Sequence, residues 1–292
     1  NLQAGGNGTI VGSAGSQTVS TMAALNGALT LTDTGVGTTD AVSVINAKPL
    51  TGLNWGGGNN IVSSGYETVN ISSNGAGAAT TLVLGTVAIA PDTIAGGAAA
   101  NGVSTANFSG SNIVTVGAIT ASAINASGLT TGSSTGITTF SMGAPAVGVK
   151  TITGSAGNDT LVGDTSTTID GGAGDDNITG GASVDSLTGG DGKDTITTGG
   201  GSDTVSGGAG NDTIVLAGNL DAKDSIDGGD GVDTMSVTSA SLTALIGLTL
   251  TEANVFNTSL NSVETLTVSD ALNTGTFDMG YLTGITTVNL GA

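Results

Sequence analysis

A nine-residue phrase of glycine and aspartate repeats through the middle of the chain and constrains its fold more than any other feature. The phrase reads G-G-x-G-x-D-x-U-x, where U is a large apolar residue. From residue 171 it runs without a break through GGAGDDNIT, GGASVDSLT, GGDGKDTIT, TGGGSDTVS and GGAGNDTIV. A related copy, GSAGNDTLV, begins at residue 154, and GGDGVDTMS ends the array. A fixed period of this kind predicts stacked structural units, each in contact with its neighbours.

Each residue type in the phrase has a structural purpose. Glycines allow a tight turn with positive φ and let backbone carbonyls approach one point, and the aspartate adds an anionic oxygen beside them. The last three residues form a short strand whose middle side chain points inward, and two phrases make one coil, so residues eighteen apart should stack about 4.8 Å from one another. The inward positions are Leu161, Ile178, Leu187, Ile196, Val205, Ile214, Ile226 and Met235.

The aspartates at the sixth position are expected to form two columns. One column contains Asp159, Asp176, Asp194, Asp212 and Asp233, and the other contains Asp185, Asp203 and Asp224. Stacked carboxylates repel by about 1 kcal/mol per neighbour in water, and by several times more at a partly buried site. A cation between neighbours reverses the sign, and oxygen-only ligands in a flexible loop favour Ca²⁺ over Zn²⁺ or Cu²⁺. Solvated turns would explain one copy, but eight aspartates in phase with eight apolar partners predict a series of calcium sites, about half a dozen in all.

Two departures interrupt the array. Thr167 takes the sixth position of a copy that is one residue short, so the carboxylate that would complete a site above Asp185 is missing. Three extra residues precede Asp224 and break the regular spacing of the pairs Asp203/Asp224 and Asp212/Asp233. The columns are therefore predicted to weaken at both places.

The flanks of the array predict further β structure. Residues 1–150 and 237–292 are rich in Thr, Ala and Gly and contain short alternating apolar runs such as AVSVINA, TTLVLGTVAIA and ETLTVSD. Aromatic residues make up only 2% of the chain, so few large side chains are available for a thick core. Charged residues at 9% and a positive mean hydropathy argue against disorder. Three segments are predicted: a β segment at 1–150, the calcium array at 151–236 and a C-terminal β segment at 237–292.

Charge and composition exclude several function classes. The net charge is −19 and Lys and Arg together number four, so no basic patch for nucleic acid can form. Histidine and cysteine are absent, which removes zinc-protease motifs, Ser-His-Asp triads and thiolate nucleophiles. The acids outside the array have no spacing that marks a catalytic pair. No apolar run is long enough for a transmembrane helix. The chain is therefore expected not to be an enzyme.

Three residues outside the array are weaker candidates for binding. Glu67 in GYETVNIS and Glu264 in SVETLTVS each precede an alternating apolar run, an echo that is consistent with repeated coils. They are candidates for extra metal ligands or lattice contacts, and a solvated strand edge is the simpler interpretation. Trp55 is a candidate for stacking on a sugar, and ordinary packing is simpler.

The array resembles the RTX calcium-binding β-roll of proteins that Gram-negative bacteria export by type I secretion. The resemblance implies a right-handed parallel β-helix with Ca²⁺ as its cofactor, held by sixth-position aspartates and turn carbonyls. It covers the nonapeptides between residues 154 and 236. The flanks are expected to continue as a short-strand β-solenoid or a β-sandwich.

The flanks resemble those of RTX-type bacterial surface-layer (S-layer) proteins. This likeness implies a structural, self-assembling lattice protein of the cell surface whose main partners are copies of itself. A surface glycan or lipopolysaccharide, bound through parts outside this sequence, is a further expected partner. An RTX adhesin or biofilm-matrix protein is the alternative, followed by a non-catalytic part of an exported enzyme. The sequence stops in mid-pattern and is expected to be a piece of a longer chain.

Overall fold

A computed structural model describes most of the array and part of the flanks. Its described residues are 151–216, 224–241, 260–270 and 284–290, together with thirteen strands and Ala121 within 8–142. The chain divides into two compact units, Asn1–Thr160 and Leu161–Ala292. Glu67 and Trp55 lie outside the described residues. The three-segment division remains a prediction.

The first unit consists of short strands that pair in parallel. One sheet has the order β1-β3-β5-β7-β11-β13 and the other the order β2-β4-β6-β10-β12-β14, while β8 and β9 form a small antiparallel pair. The strands are β1 (Gly8–Gly12), β2 (Gln17–Thr21), β3 (Leu29–Asp33), β4 (Ala41–Asn46), β5 (Ile61–Ser64), β6 (Thr68–Ser73), β7 (Thr81–Ala90), β8 (Thr93–Ile94), β9 (Ala98–Ala99), β10 (Thr105–Gly110), β11 (Ile113–Thr120), β12 (Ala123–Leu129), β13 (Phe140–Met142) and β14 (Thr151–Thr153).

Alternating apolar residues hold the coils of the first unit together. In the sheet that contains β4, β6, β10, β12 and β14, each coil places one apolar side chain directly above the next. All members of this row are at most 1% exposed: Val42, Val69, Ala106, Ile124 and Ile152. Strict alternation is the pattern of strands with one buried face, and stacking in register keeps that face continuous.

The second unit has the same architecture with shorter strands. One sheet has the order β15-β17-β19-β21-β23-β25-β26 and the other the order β16-β18-β20-β22-β24. The strands are β15 (Thr160–Val162), β16 (Thr168–Ala173), β17 (Asn177–Thr179), β18 (Ser186–Asp191), β19 (Thr195–Thr197), β20 (Thr204–Ala209), β21 (Thr213–Leu216), β22 (Ser225–Asp230), β23 (Thr234–Val237), β24 (Leu260–Asn261), β25 (Thr265–Val268) and β26 (Thr287–Leu290).

The predicted inward positions of the nonapeptides form the core of the second unit. Ile178, Ile196 and Ile214 stack in one sheet, and Leu187 and Val205 stack in the other. Every one of them is at most 2% exposed. Burial of one such side chain contributes about 1.5–3 kcal/mol, so each coil adds only a thin apolar layer and depends on its neighbours.

The predicted fold class is confirmed, because the protein is an all-β solenoid of long parallel sheets. Apart from the small β8–β9 pair, the flank strands of each unit pair in parallel with neighbouring coils, which is the arrangement of a solenoid and not of an antiparallel sandwich. Within the part of the chain that the structure describes, no helix is long and apolar enough to span a membrane.

Candidate metal centre

Glycine brings two kinds of oxygen together at each turn of the array. In the copy GGDGKDTIT, Gly190 has a φ of 118°, and a Cβ on it would collide with the carbonyl of Gly172 one coil earlier. A Cβ on Gly189 would collide with Oδ2 of Asp194 and with the carbonyl oxygen of Gly207. Only glycine fits such angles and such close approach. The turn therefore places a carboxylate oxygen beside a carbonyl oxygen of the next coil.

The aspartates of the first column are joined by a ladder of hydrogen bonds. The backbone N–H of Asp176 donates to Oδ1 of Asp194 over 2.8 Å. Asp194 donates in the same way to Asp212 over 2.8 Å, and Asp212 donates to Asp233 over 2.7 Å. One oxygen of each acceptor carboxylate is therefore fixed by the coil before it, which orients the other oxygen.

The second column contains the same ladder on the other side of the coil. The N–H of Asp185 donates to Oδ1 of Asp203 over 2.9 Å, and that of Asp203 donates to Oδ1 of Asp224 over 3.0 Å. The N–H of Thr167 donates to Oδ1 of Asp185 over 2.6 Å. The ladder needs only a backbone donor from the earlier coil, so threonine at the sixth position does not end it.

All eight predicted ligands are buried. None is more than 5% exposed, although acidic side chains are rarely buried to this degree. The second unit brings seven of them into its two columns: Asp176, Asp194, Asp212 and Asp233 in one, and Asp185, Asp203 and Asp224 in the other. Asp159 belongs to the first unit, where Oδ1 accepts from the hydroxyl of Ser155 over 2.9 Å and Oδ2 accepts from the N–H of Ser155 over 2.5 Å.

The three-residue insertion does not break the ladder. Asp203 still bonds Asp224, and Asp212 still bonds Asp233, although each pair is 21 residues apart. Strand pairing returns to register on both sheets, with Val205 opposite Ile226. The hydrogen-bond ladder therefore continues past the insertion, and the weakening of the ion sites there stays a prediction.

The short copy contains an acid that the sequence pattern missed. Oδ2 of Asp164 is buried and has no hydrogen-bond partner, and the carbonyl of Asp164 accepts from the N–H of Ala182 over 3.2 Å. Asp164 directly follows the first glycine of this copy, where the repeat has its second glycine. The copy has an acid at its second position, where other copies have glycine, and threonine at its sixth position, where they have aspartate. This exchange is the sequence signal that could have identified Asp164.

Several carboxylate oxygens of the first column lack a hydrogen-bond donor. Oδ2 of Asp194, Asp212 and Asp233 is buried and has no hydrogen-bond partner in the structure. Burial raises the pKa of all three carboxyls, and the charge of the following acid in the column raises each further, whereas the ladder hydrogen bond lowers it. The pKa of Asp194 reaches about 6. A buried anionic oxygen without a donor is costly unless a cation faces it.

These oxygens fit Ca²⁺. At two of these sites the unbonded Oδ2 and a carbonyl oxygen of the next coil both lie close to the Cβ position of one turn glycine, and this carbonyl belongs to Gly207 for Asp194 and to Gly228 for Asp212. Among the described residues no three acidic, histidine or cysteine side chains form a group that could hold a metal by themselves, so backbone carbonyls must complete each site. Mixed carboxylate and carbonyl ligands are those that Ca²⁺ prefers. Bound Ca²⁺ would supply the positive charge that the columns lack.

A parallel solenoid with buried carboxylates at glycine turns is a calcium-binding β-roll. Comparison with known families agrees, because the chain matches the RTX calcium-binding nonapeptide repeat in four copies, at residues 151–167, 162–196, 179–214 and 221–237. Residues 151–237 therefore contain RTX calcium-binding repeats, and the cofactor of these repeats is Ca²⁺. No curated protein and no solved structure matches it.

The repeats define the broad type of protein. They indicate a calcium-binding structural or adhesin-like protein, and such repeats are typical of secreted proteins. The ligand role of each of the eight aspartates remains a prediction from their spacing and burial.

Proposed function

We propose that this chain is a segment of an S-layer protein, a structural protein that tiles the cell surface when it binds Ca²⁺. The observation that carries the proposal is the pair of buried aspartate columns, because they make the order of the solenoid depend on a divalent cation. Where Ca²⁺ is scarce, as in the cytosol, the columns stay open and the chain can be exported. At millimolar Ca²⁺ outside the cell, binding and folding coincide. Type I secretion is the proposed route.

The outer face of the second unit supports tiling. One row of outward positions along the sheet runs through Thr195, Thr213, Thr234 and Thr265, directly above one another. A parallel sheet with short polar side chains offers a regular surface on which a second copy could pack closely. Copies of this chain are the proposed partners, and an anchoring glycan or lipopolysaccharide would bind through other parts of the protein.

The proposed role is not enzymatic. Histidine, cysteine and arginine are absent from the sequence, so the usual nucleophile–base pairs and anion clamps cannot form. The buried acids belong to ladders with fixed partners and to the cation sites. A non-catalytic part of an exported enzyme remains a lesser alternative, which a catalytic module elsewhere in the full protein would reveal.

An adhesin or biofilm-matrix protein is the second candidate. It shares the calcium array and differs in what the folded solenoid binds. Electron microscopy of the purified chain with and without Ca²⁺ separates the two functions. Ordered sheets or tubes that form with Ca²⁺ and disappear with chelator support the lattice. Fibres, or glycan binding by a chain that stays monomeric, support the adhesin and contradict the lattice.

A further inference from the structure

The aspartate columns lead into a coil that has no nonapeptide. After the array ends, β24 pairs with β22 and β25 pairs with β23, so residues 260–268 form one more coil of the same solenoid. The turn between these strands is Ser262-Val263-Glu264. It contains no glycine and no aspartate, and the RTX repeat match ends at residue 237.

Glu264 occupies the next place in the first column. The N–H of Asp233 donates to Oε2 of Glu264 over 2.9 Å, as the N–H of Asp212 donates to Oδ1 of Asp233 one coil earlier. The N–H of Thr265 donates to the carbonyl of Asp233 over 2.9 Å, as Thr234 does to Asp212 over the same distance. The carboxylate of Glu264 therefore continues the ladder.

Ser262 occupies the place of the turn glycine. A Cβ on Gly207 would collide with Oδ2 of Asp212 and with the carbonyl of Gly228. A Cβ on Gly228 would collide with Oδ2 of Asp233 and with the carbonyl of Ser262. Each of the two coils therefore has one carboxylate oxygen and one carbonyl oxygen close to a turn glycine. In the second coil the carbonyl oxygen comes from Ser262, which lies outside the array.

Asp233 supplies the carboxylate oxygen of this pair. The residue is fully buried, with an exposure of 0%, and its Oδ2 has no hydrogen-bond partner in the structure. Two acids that approach each other around a carbonyl oxygen need a cation for the same reason as the acids within the array.

The shorter turn explains why glutamate stands here. Gly228 precedes Asp233 by five positions, whereas Ser262 precedes Glu264 by only two. Ser262 adopts a φ of 49°, which supplies the left-handed residue of the turn without glycine. The turn that leads to Glu264 is three residues shorter than the one that leads to Asp233. The extra methylene of glutamate lets its carboxylate reach the N–H of Asp233 from this shorter turn.

We propose that the calcium column extends one coil beyond the last nonapeptide, into a site formed by Oδ2 of Asp233, the carbonyl of Ser262 and the carboxylate of Glu264. The site would hold a further Ca²⁺ and couple the array to the C-terminal strands. The proposal goes beyond the lattice function, since it rests on calcium binding by the array and not on self-assembly.

The test is a calcium count on the full chain with Glu264→Gln. Glutamine keeps an oxygen that can accept from the N–H of Asp233, so the ladder is retained while the charge is removed. Native mass spectrometry of the folded species in a calcium titration is expected to show one ion fewer than in the wild type, or one site weakened by about tenfold or more. The matched control is Asp230→Asn, which neutralises an exposed carboxylate of β22 and should keep the full count.

A second variant separates a ligand from a structural cap. Glu264→Asp keeps the charge but shortens the reach, so it should weaken the same site without restoring wild-type affinity. If Glu264→Gln binds the same number of ions with the same affinities as the wild type, Glu264 only caps the ladder and the proposal is wrong. Ion counts are taken from folded molecules, so partial unfolding of a variant does not alter them. A chain that loses one ion but never forms a lattice would support this site and contradict the S-layer function.

Discussion

The two units stack their coils around similar apolar interiors but with different polar rows. In the first unit, the side-chain amide of Asn107 donates to the amide oxygen of Asn70 over 2.8 Å, in register along neighbouring strands. In the second unit the stacked groups are buried carboxylates such as Asp194 and Asp212, which bond the backbone with one oxygen and leave the other without a donor. Neutral amides satisfy one another, whereas carboxylates repel. Order around β6 and β10 of the first unit should therefore be independent of calcium, and order in the second unit should require it.

Removal of calcium from the full chain should give the largest effect. With chelator, strands β16–β23 of the array are expected to lose protection from hydrogen exchange, while β10–β12 of the first unit keep it. Each site contributes about 2.7 kcal/mol when free Ca²⁺ is a hundred times its Kd, so several sites together exceed the stability of a typical domain. Hydrogen exchange with mass spectrometry, with and without EGTA, measures both regions in one sample. If the array is equally protected from hydrogen exchange with and without EGTA, the expected difference in calcium dependence between the two units is wrong.

Substitution of one acid at the centre of a column should give the next largest effect on stability. The change should be a loss in saturating Ca²⁺ and a gain in EGTA. Asp194→Asn keeps an oxygen for the N–H of Asp176 and removes a buried charge. In saturating Ca²⁺ the variant is expected to lose about 2–4 kcal/mol of stability, the contribution of one site, whereas in EGTA it should be more stable than the wild type. Denaturant unfolding measures both. The exposed Asp170→Asn in β16 serves as the control and should change stability by about 0.5 kcal/mol or less.

A fall in pH should raise the stability of the folded chain without calcium and lower it with calcium. The pKa of Asp194 in the folded chain, about 6, lies above the ordinary value of 3.8, because of burial and the charges of Asp212, Asp175 and Asp191. The folded calcium-free state therefore binds more protons than the unfolded state, and its stability should rise as the pH falls through about 6 toward about 4. With Ca²⁺ present, protons compete with the ion, so stability should fall over the same range. Unfolding curves at several pH values in EGTA and in CaCl₂ test the two signs.

The amide row of the first unit should show the smallest effect and no dependence on calcium. Asn107→Ala removes the donor to Asn70 and is expected to cost about 0.5–1.5 kcal/mol, the usual net value of one hydrogen bond. Hydrogen exchange of β10 and β12 in the presence and absence of EGTA should report the same loss. A loss that appears only with chelator would show that the first unit also depends on calcium.

The sequence predicted the parts of the fold that follow from its period. Eight aspartates and eight apolar residues in phase were enough to place Ile178 above Ile196 and Asp176 beside Asp194, since the spacing of a coil is fixed by the backbone. The insertion before Asp224 was expected to disturb the columns, but the strands on either side of it pair in register. Counting positions therefore exaggerates the cost of an insertion at a turn.

The rest of the site depends on backbone groups that a pattern of side chains does not show. Thr167 lacks a carboxylate, yet its N–H maintains the ladder to Asp185. The sequence pattern identified Glu264 only by the similarity of SVETLTVS to GYETVNIS, because its turn lacks glycine and its spacing from Asp233 does not match the repeat. The pairing of β23 with β25 is what places it in the column.

The hydrogen bonds of the ladder all run one way, and this gives the solenoid a direction. In each step the donor belongs to the earlier coil and the acceptor carboxylate to the later one. The N–H of each coil is thus satisfied by a carboxylate of the following coil, and the N–H of Asp233 is satisfied by Glu264. Local unfolding should therefore start at the C-terminal coil and proceed toward the N-terminus. A truncation after β23 should destabilise earlier coils although their own sequence is unchanged.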